Sequence, residues 1–245
     1  TGQGYETFQA AIDACTAGNN TIVLLANISD DVTVNETAGV NIKIEGDKKE
    51  YSGTINIVGN STYGDETLSI SNVKFVTSEK NHDFIWSDSQ NAPGRYCNNV
   101  SVDKCYFVAT GEAKNTAVGL RIRQGKNIDV TRSVFEGMHS AMQMNGTLDI
   151  YVVGLEIKDS KNGISASGQN TLVVEDSKIA VDGYGVRADG TDNSSMILKG
   201  NPTISADFPV VVRKTTGAYN LTVESGSYTA SNEKGAAVTF TTGDD

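Results

Sequence analysis

Several residue types are scarce in this chain of 245 residues, and their scarcity excludes whole classes of protein. The sequence has three Cys, three Pro, two His and one Trp. Three Cys cannot form a disulfide framework, although Cys97 and Cys105 either pair or are simply small buried residues. The two His residues show neither a zinc-binding spacing nor a catalytic-triad motif. No apolar run approaches the roughly 20 residues of a membrane span.

Positive charge is also in deficit. The sequence has 20 Lys and Arg but 30 Asp and Glu, which gives a net charge of -10 and a pI of about 4.7. Nucleic acids and anionic membranes bind basic surfaces, so neither is expected as the main partner. The chain is rich in Asn, Ser, Thr and Gly, and it starts without a basic or apolar segment. The protein is therefore either cytosolic or an exported protein whose signal has been removed, and the composition favours a secreted or cell-surface protein.

A repeat of constant length is the strongest positive feature. Four segments with the same alternation of small, apolar and polar residues begin 22 residues apart, at Val118, Ser140, Asn162 and Tyr184. A second set of segments interleaves with them, each with two alternating apolar positions, a polar bend and an apolar anchor, as in Leu68 to Phe75. A period in the low twenties is typical of a stacked-repeat architecture.

The two interleaved sets favour a parallel β-helix over other repeat folds. Tight Asn-Gly turns, which a hairpin meander requires, are scarce, and the leucine frame of leucine-rich repeats is absent. We predict about nine coils in a single all-β domain that spans residues 1–245. Period-two alternation predicts an inward apolar column through Leu120, Met142, Ile164 and Val186, and outward columns that contain Arg121, Gln143, Arg123 and Asn145.

The N-terminal segment gives the one clear helix pattern. Apolar residues recur at helical spacing in the stretch FQAAIDAC, and the strand-like stretch TIVLL follows. We expect residues 1–20 to cap the first coil, as terminal caps do in repeat proteins. With the coils of about 22 residues, this segment makes the chain resemble the pectin lyase-like superfamily, which implies a single-stranded right-handed parallel β-helix.

That superfamily includes polysaccharide lyases, polygalacturonases, phage tailspikes and bacterial adhesins, so the resemblance alone does not select a function. Arg121-Ile122-Arg123 resembles the Arg-Ile-Lys run of polygalacturonases. Two other polygalacturonase motifs, Asn-Thr-Asp and Gly-His-Gly, do not occur, and Gly-Asp-Asp occurs only at positions 243–245, the last residues of the given sequence. A lyase would call for Ca²⁺ and a basic residue, and a hydrolase for paired carboxylates.

One interval departs from the repeat. Between the candidate strand at Phe84 and the segment at Val118 the spacing stretches to about 34 residues, so we expect residues 78–99 to form a long loop. Loops on rigid scaffolds often contain binding sites, and an aromatic ring beside polar groups suits a sugar. The candidate ligand-binding residues are therefore those of this loop together with the neighbouring outward column: Trp86, Asp83, Asp88, Arg95, Tyr96, Arg121, Arg123 and Gln143.

Three functions fit these observations. The first is a non-catalytic module that recognises a polysaccharide or glycoconjugate, or serves as an adhesin-like scaffold. The second is a polysaccharide lyase or glycoside hydrolase acting on an acidic polysaccharide, with Ca²⁺ required if it is a lyase. The third is a structural stalk in a larger surface protein. For the first and third, no cofactor or metal is expected.

Overall fold

The computed structural model describes residues 2–87, 95–168, 170–191, 194–214, 218–233 and 235–242. The chain winds through nine coils, whose strands form three parallel sheets with nine, eight and nine members. The all-β parallel helix expected from the repeat is confirmed. None of the helices in these ranges is long or apolar enough to cross a membrane.

Each coil contributes one strand to each sheet, except that the first coil has none in sheet B. Sheet A contains β1 (Gly18–Val23), β3 (Val40–Glu45), β6 (Thr67–Ser71), β9 (Cys97–Asp103), β12 (Gly125–Thr131), β15 (Asp149–Val153), β18 (Thr171–Glu175), β21 (Ser194–Lys199) and β24 (Tyr219–Val223). Sheet B contains β4 (Glu50–Tyr51), β7 (Lys74–Thr77), β10 (Tyr106–Ala109), β13 (Val134–Glu136), β16 (Glu156–Ser160), β19 (Lys178–Val181), β22 (Thr203–Ala206) and β25 (Ser227–Ala230). Sheet C contains β2 (Val32–Asn35), β5 (Ile55–Val58), β8 (Asp83–Ser87), β11 (Val118–Arg123), β14 (Ser140–Asn145), β17 (Asn162–Gly168), β20 (Tyr184–Gly190), β23 (Phe208–Lys214) and β26 (Val238–Thr242).

The register of sheet C follows the repeat. Leu120 pairs with Met142, Met142 with Ile164, and Ile164 with Val186. All four side chains are fully buried. Because alternate residues of a strand point to opposite faces, Arg121 and its equivalents in this column point outward. The inward and outward columns expected from the sequence are confirmed.

The second set of segments proves to be two strands joined by a sharp bend. Each segment crosses from sheet A to sheet B through one residue with positive φ, for example Asn72 (φ 55) and Asp176 (φ 47). Gly154 and Gly200 occupy the same place in two other coils, with φ 63 and 69. Asn, Asp and Gly adopt this left-handed conformation more readily than other residues, which explains the polar bend in the sequence pattern.

A column of aromatic rings stabilises the first half of the helix. Phe75, Phe107 and Phe135 stack on one another with ring centroids 4.5 Å apart and nearly parallel planes. Tyr51 meets Phe75 edge-on at 5.6 Å. Phe8 contacts Tyr51 at 5.7 Å, also edge-on, so the short helix α1 (Phe8–Asp13) closes the end of this column.

The region around residues 78–99 differs from expectation. Part of it is regular structure, because β8 lies within sheet C and β9 begins at Cys97. Phe84 and Ile85 are fully buried, which holds this stretch against the core instead of letting it loop out. The extra residues of this interval are divided between the connection from β8 to β9 and that from β10 to β11, which contains a 3-10 turn at Gly111–Ala113. Cys97 and Cys105 are both free.

Val186→Asp tests the inward column. An unpaired carboxylate at this fully buried position should cost several kcal/mol in the free energy of unfolding, measured by urea denaturation. Ser165→Asp is the matched control, since Ser165 points outward from the adjacent coil and should change stability little. A Val186→Asp protein that unfolds at the wild-type urea concentration would contradict the register.

Candidate functional site

The outer surface of sheet C collects the polar side chains that point away from the core. We call it the sheet C face and define it by the outward residues of five successive strands and the carboxylate at their edge: Asp83, Trp86, Arg121, Arg123, Gln143, Asn145, Ser165, Ser167, Arg187 and Asp189. Each lies beside its equivalent in the next coil, at a spacing of about 4.8 Å. Functional groups on this face are therefore held by the rigid core beneath them.

A shallow pocket of about 160 Å³ lies in the middle of this face. Two guanidinium groups, two amides and two hydroxyls line it, from Arg121, Arg123, Gln143, Asn145, Ser165 and Ser167. Tyr184, at the start of β20, also lines the pocket and adds an aromatic ring. The pocket thus combines cationic groups, neutral hydrogen-bonding groups and one flat apolar surface.

The cationic side of the pocket has one carboxylate beside it. Asp83 Oδ2 lies 3.1 Å from Arg121 Nε, while Asp83 Oδ1 is buried and makes no hydrogen bond within the described part of the chain. Burial raises the pKa of Asp83, and the neighbouring Arg121 charge only partly opposes that rise. Burial and the charge of Arg121 together lower the pKa of Arg123. Two guanidinium groups and one carboxylate leave a local excess of positive charge.

A second charged group lies on the same face, further along the helix. Asp189 Oδ1 accepts hydrogen bonds from Arg187 Nε at 3.1 Å and from Arg213 Nε at 2.8 Å. The Arg187 guanidinium also lies over the Tyr184 ring, 5.6 Å from its centroid. Here the carboxylate is bound by two cations, so it is better satisfied than Asp83.

Five of the eight residues predicted from the sequence come together on the sheet C face. They are Asp83, Trp86, Arg121, Arg123 and Gln143. Trp86 is not a loop residue as expected: it is half-buried on β8, between Asn56 of β5 and Arg121 of β11.

Two of the other three predicted residues, Tyr96 and Arg95, do not belong to this face. Tyr96 packs against Tyr63 with ring centroids 4.5 Å apart, and it pairs with Asn60. Arg95 is exposed next to it, and Asp88 lies outside the described residues.

The sequence pattern did not single out Tyr184 as a pocket residue. It precedes the alternating part of its segment, at the place occupied by Asn162 and Ser140 in the coils before it. The available signal was an aromatic residue at a place that small polar residues fill in the two coils before it.

A wider depression of about 470 Å³ lies at the corner between sheets B and C. Its lining includes Asp159, Asp182 and Asp207, which recur in successive coils, and Ser231, which donates to Asp207 at 2.8 Å. No group of three His, Cys, Asp or Glu residues in the described ranges is arranged to hold a metal ion. The depression lacks the mixture of cationic, neutral and aromatic groups found on the sheet C face.

A half-buried acidic residue outside the face was also missed. Glu36 accepts the backbone N–H of Asn98 at 2.8 Å and lies against the Cys97 thiol. Asn98 is fully buried and donates to Glu66 at 2.8 Å, so the network ties β9 to the connection after β2 and the connection before β6. Burial raises the pKa of Glu36 to about 7.

Comparisons with known proteins add no assignment. No family model matches the sequence, and neither the curated proteins nor the solved structures contain a match to it.

The Glu36 network predicts a pH-dependent stability. Because the pKa of Glu36 is about 7 when folded and ordinarily 4.5, the contribution of Glu36 to stability is greatest below pH 4.5 and is lost as pH rises through about 7. Solvent reaches part of the group, so we expect a loss of about 1 to 3 kcal/mol. Glu36→Gln should remove this slope in urea denaturation curves between pH 4.5 and 8, whereas exposed Glu112→Gln should keep it. An unchanged slope in Glu36→Gln would refute the assignment.

Proposed function

We propose that this protein is a non-catalytic recognition module that binds an anionic glycan along the sheet C face. The observation that supports this most directly is the pocket in which Arg121 and Arg123 adjoin the amides and hydroxyls of the next two coils. We also propose that it acts as part of a secreted or cell-surface protein, in keeping with its composition.

The chemistry of the pocket suits a sugar that bears a carboxylate or sulfate. A guanidinium group presents planar, paired N–H donors that match such anions. Gln143, Asn145, Ser165 and Ser167 offer both donors and acceptors to sugar hydroxyls. A sugar ring has apolar C–H surfaces that stack on aromatic side chains, and Tyr184 supplies one at the pocket.

The face is long enough for more than one sugar. Trp86 and Tyr184 lie on strands four coils apart, a separation of about 19 Å at the spacing of parallel strands. A linear glycan that runs along the helix axis would contact both rings and the pocket between them. The acidic remainder of the protein would repel such a chain elsewhere, which favours binding on this face.

The enzymatic alternative rests on Asp83, since a carboxyl of raised pKa beside two Arg residues suits proton transfer. A hydrolase needs a second carboxylate about 5 to 9.5 Å away. On the sheet C face the other carboxylate is Asp189, about 19 Å distant by coil spacing and already bound by two Arg. Asp31 precedes β2, two coils before Asp83 in the other direction along the helix. Its carboxylate already accepts a hydrogen bond from the Thr54 backbone N–H at 2.7 Å. These engagements favour binding over hydrolysis.

Membership of the pectin lyase-like superfamily is a separate part of the proposal. The parallel coils and the helix that covers the first of them support it. Because fold does not determine activity in such architectures, the assignment of function depends on the sheet C face.

Ser165→Trp tests the proposed face. Ser165 lines the pocket, so an indole there should fill it and reduce binding to acidic oligosaccharides at least tenfold, measured by isothermal titration calorimetry after a screen of neutral and acidic glycans. Thr171→Trp, a half-buried outward position on sheet A, is the matched control and should bind like wild type. Equal binding by both variants, or growth of unsaturated product at 235 nm with a uronic polysaccharide, would contradict the proposal.

A further inference from the structure

The pairing of Asp83 with Arg121 has a consequence for any anion that enters the pocket. Arg121 both lines the pocket and forms the ion pair with Asp83, whereas Asp83 does not line the pocket. Asp83 thus stands behind the cation that an anionic ligand would approach. The carboxylate and the ligand would share one guanidinium group, and their like charges would repel each other.

We propose that Asp83 is a specificity-determining residue of the sheet C face, which limits the affinity of the Arg121 and Arg123 pair for anions and links anion binding to proton uptake. This inference rests on the proposed function, because it assumes that an anionic sugar binds there. The inference specifies which residue limits the affinity for that sugar and how the affinity changes with pH.

The geometry of Asp83 supports this role over a purely structural one. A structural carboxylate on a partly buried strand end is ordinarily well hydrogen-bonded, because an unsatisfied buried oxygen is costly. Asp103 illustrates the satisfied case: it accepts from Thr131 at 2.7 Å and from Arg132 Nε at 2.8 Å and Nη2 at 2.7 Å. Asp83, with comparable side-chain exposure (23% against 26%), leaves Oδ1 without a partner in the described ranges. Its ionised form is therefore weakly held.

The charged and titratable groups that act on Asp83 come from β11 and from the residue just before β8. Arg121 and Arg123 of β11 favour its ionised form, as does His82, which directly precedes β8. On the other side, Asn56 of β5 is uncharged, and the hydroxyl of Thr54, the residue before β5, donates to the Asp83 backbone carbonyl. His139 lies within electrostatic reach of Arg121.

The direction of the pH effect follows from these neighbours. Burial raises the pKa of Asp83, so its proton binds at a higher pH than that of an exposed Asp. An incoming anion disfavours the ionised carboxylate further and promotes proton uptake. Anion affinity should therefore increase as pH falls towards 4, provided that the charge of the ligand itself stays constant.

The experiment uses galactose 6-sulfate, whose sulfate remains singly charged between pH 4 and 8, with galactose as the neutral control. Isothermal titration calorimetry is performed on the wild type, Asp83→Asn and the matched variant Asp103→Asn. Asp103→Asn makes the same change in net charge and also removes the partner of an Arg, but it does so on sheet A. Thermal melts establish that each variant is folded.

We expect Asp83→Asn to bind galactose 6-sulfate about tenfold more tightly than the wild type at pH 7, and to lose the increase in affinity towards pH 4. Asp103→Asn should keep both wild-type properties, and Arg121→Gln should abolish binding.

One result would overturn this inference and leave the proposed function intact. In that result the sulfate is required for binding, but Asp83→Asn neither increases the affinity nor removes its dependence on pH. A pH dependence that persists in Asp83→Asn would assign it to His82 or His139 and overturn the inference equally. If neither the wild type nor any variant binds galactose 6-sulfate, and acidic oligosaccharides do not bind either, both proposals are overturned.

Discussion

The structure depends on the in-register hydrogen bonding of each coil to the next. Parallel pairing at a constant register forces every side chain to lie beside its equivalents in the coils before and after it. Inside the helix, where water is excluded, this demands an apolar residue in every coil, as in the column from Leu120 to Val186. On the outside, the same pairing aligns the side chains but does not restrict which residue types they are. Polar residues can therefore differ from coil to coil.

This separation explains how an acidic protein can present a local cationic surface. The net charge is -10, yet four Arg residues occupy outward positions of sheet C, accompanied on the same face by two carboxylates. Because the strands lie about 4.8 Å apart, such side chains act as a fixed array and not as independent surface charges. The two carboxylates differ in how well they are bound. Asp189 is shared by Arg187 and Arg213, while Asp83 retains an unsatisfied oxygen.

The regular part of the fold could be predicted from the sequence because its period is constant. Equal spacing of 22 residues aligns Val118, Ser140, Asn162 and Tyr184 directly, and the observed pairing of Met142 with Ile164 follows from it. The two-strand nature of the other segments was less visible. Their bend depends on the backbone conformation of one residue, as at Arg132 (φ 49), and residue type specifies that conformation weakly.

The candidate site was harder to predict where the period fails. Asp83 pairs with Val118, 35 positions later, and that register depends on connections of irregular length. The sequence consequently predicts a loop position for Trp86, whereas the buried Phe84 and Ile85 hold it on a strand. The ion pair of Asp83 with Arg121 and the burial of Glu36 arise from contacts across such connections, so no local sequence pattern encodes them.

The most direct test of the account is a distance series along one outward column. Nitroxide labels would be attached at position 56 together with position 165, 211 or 239, all in the same column of sheet C, and measured by double electron–electron resonance. The pairs are four, six and seven coils apart, which predicts backbone separations of about 19, 29 and 34 Å, a linear increase of about 4.8 Å per coil. Distances that fail to increase in this order would contradict a helix of stacked parallel coils.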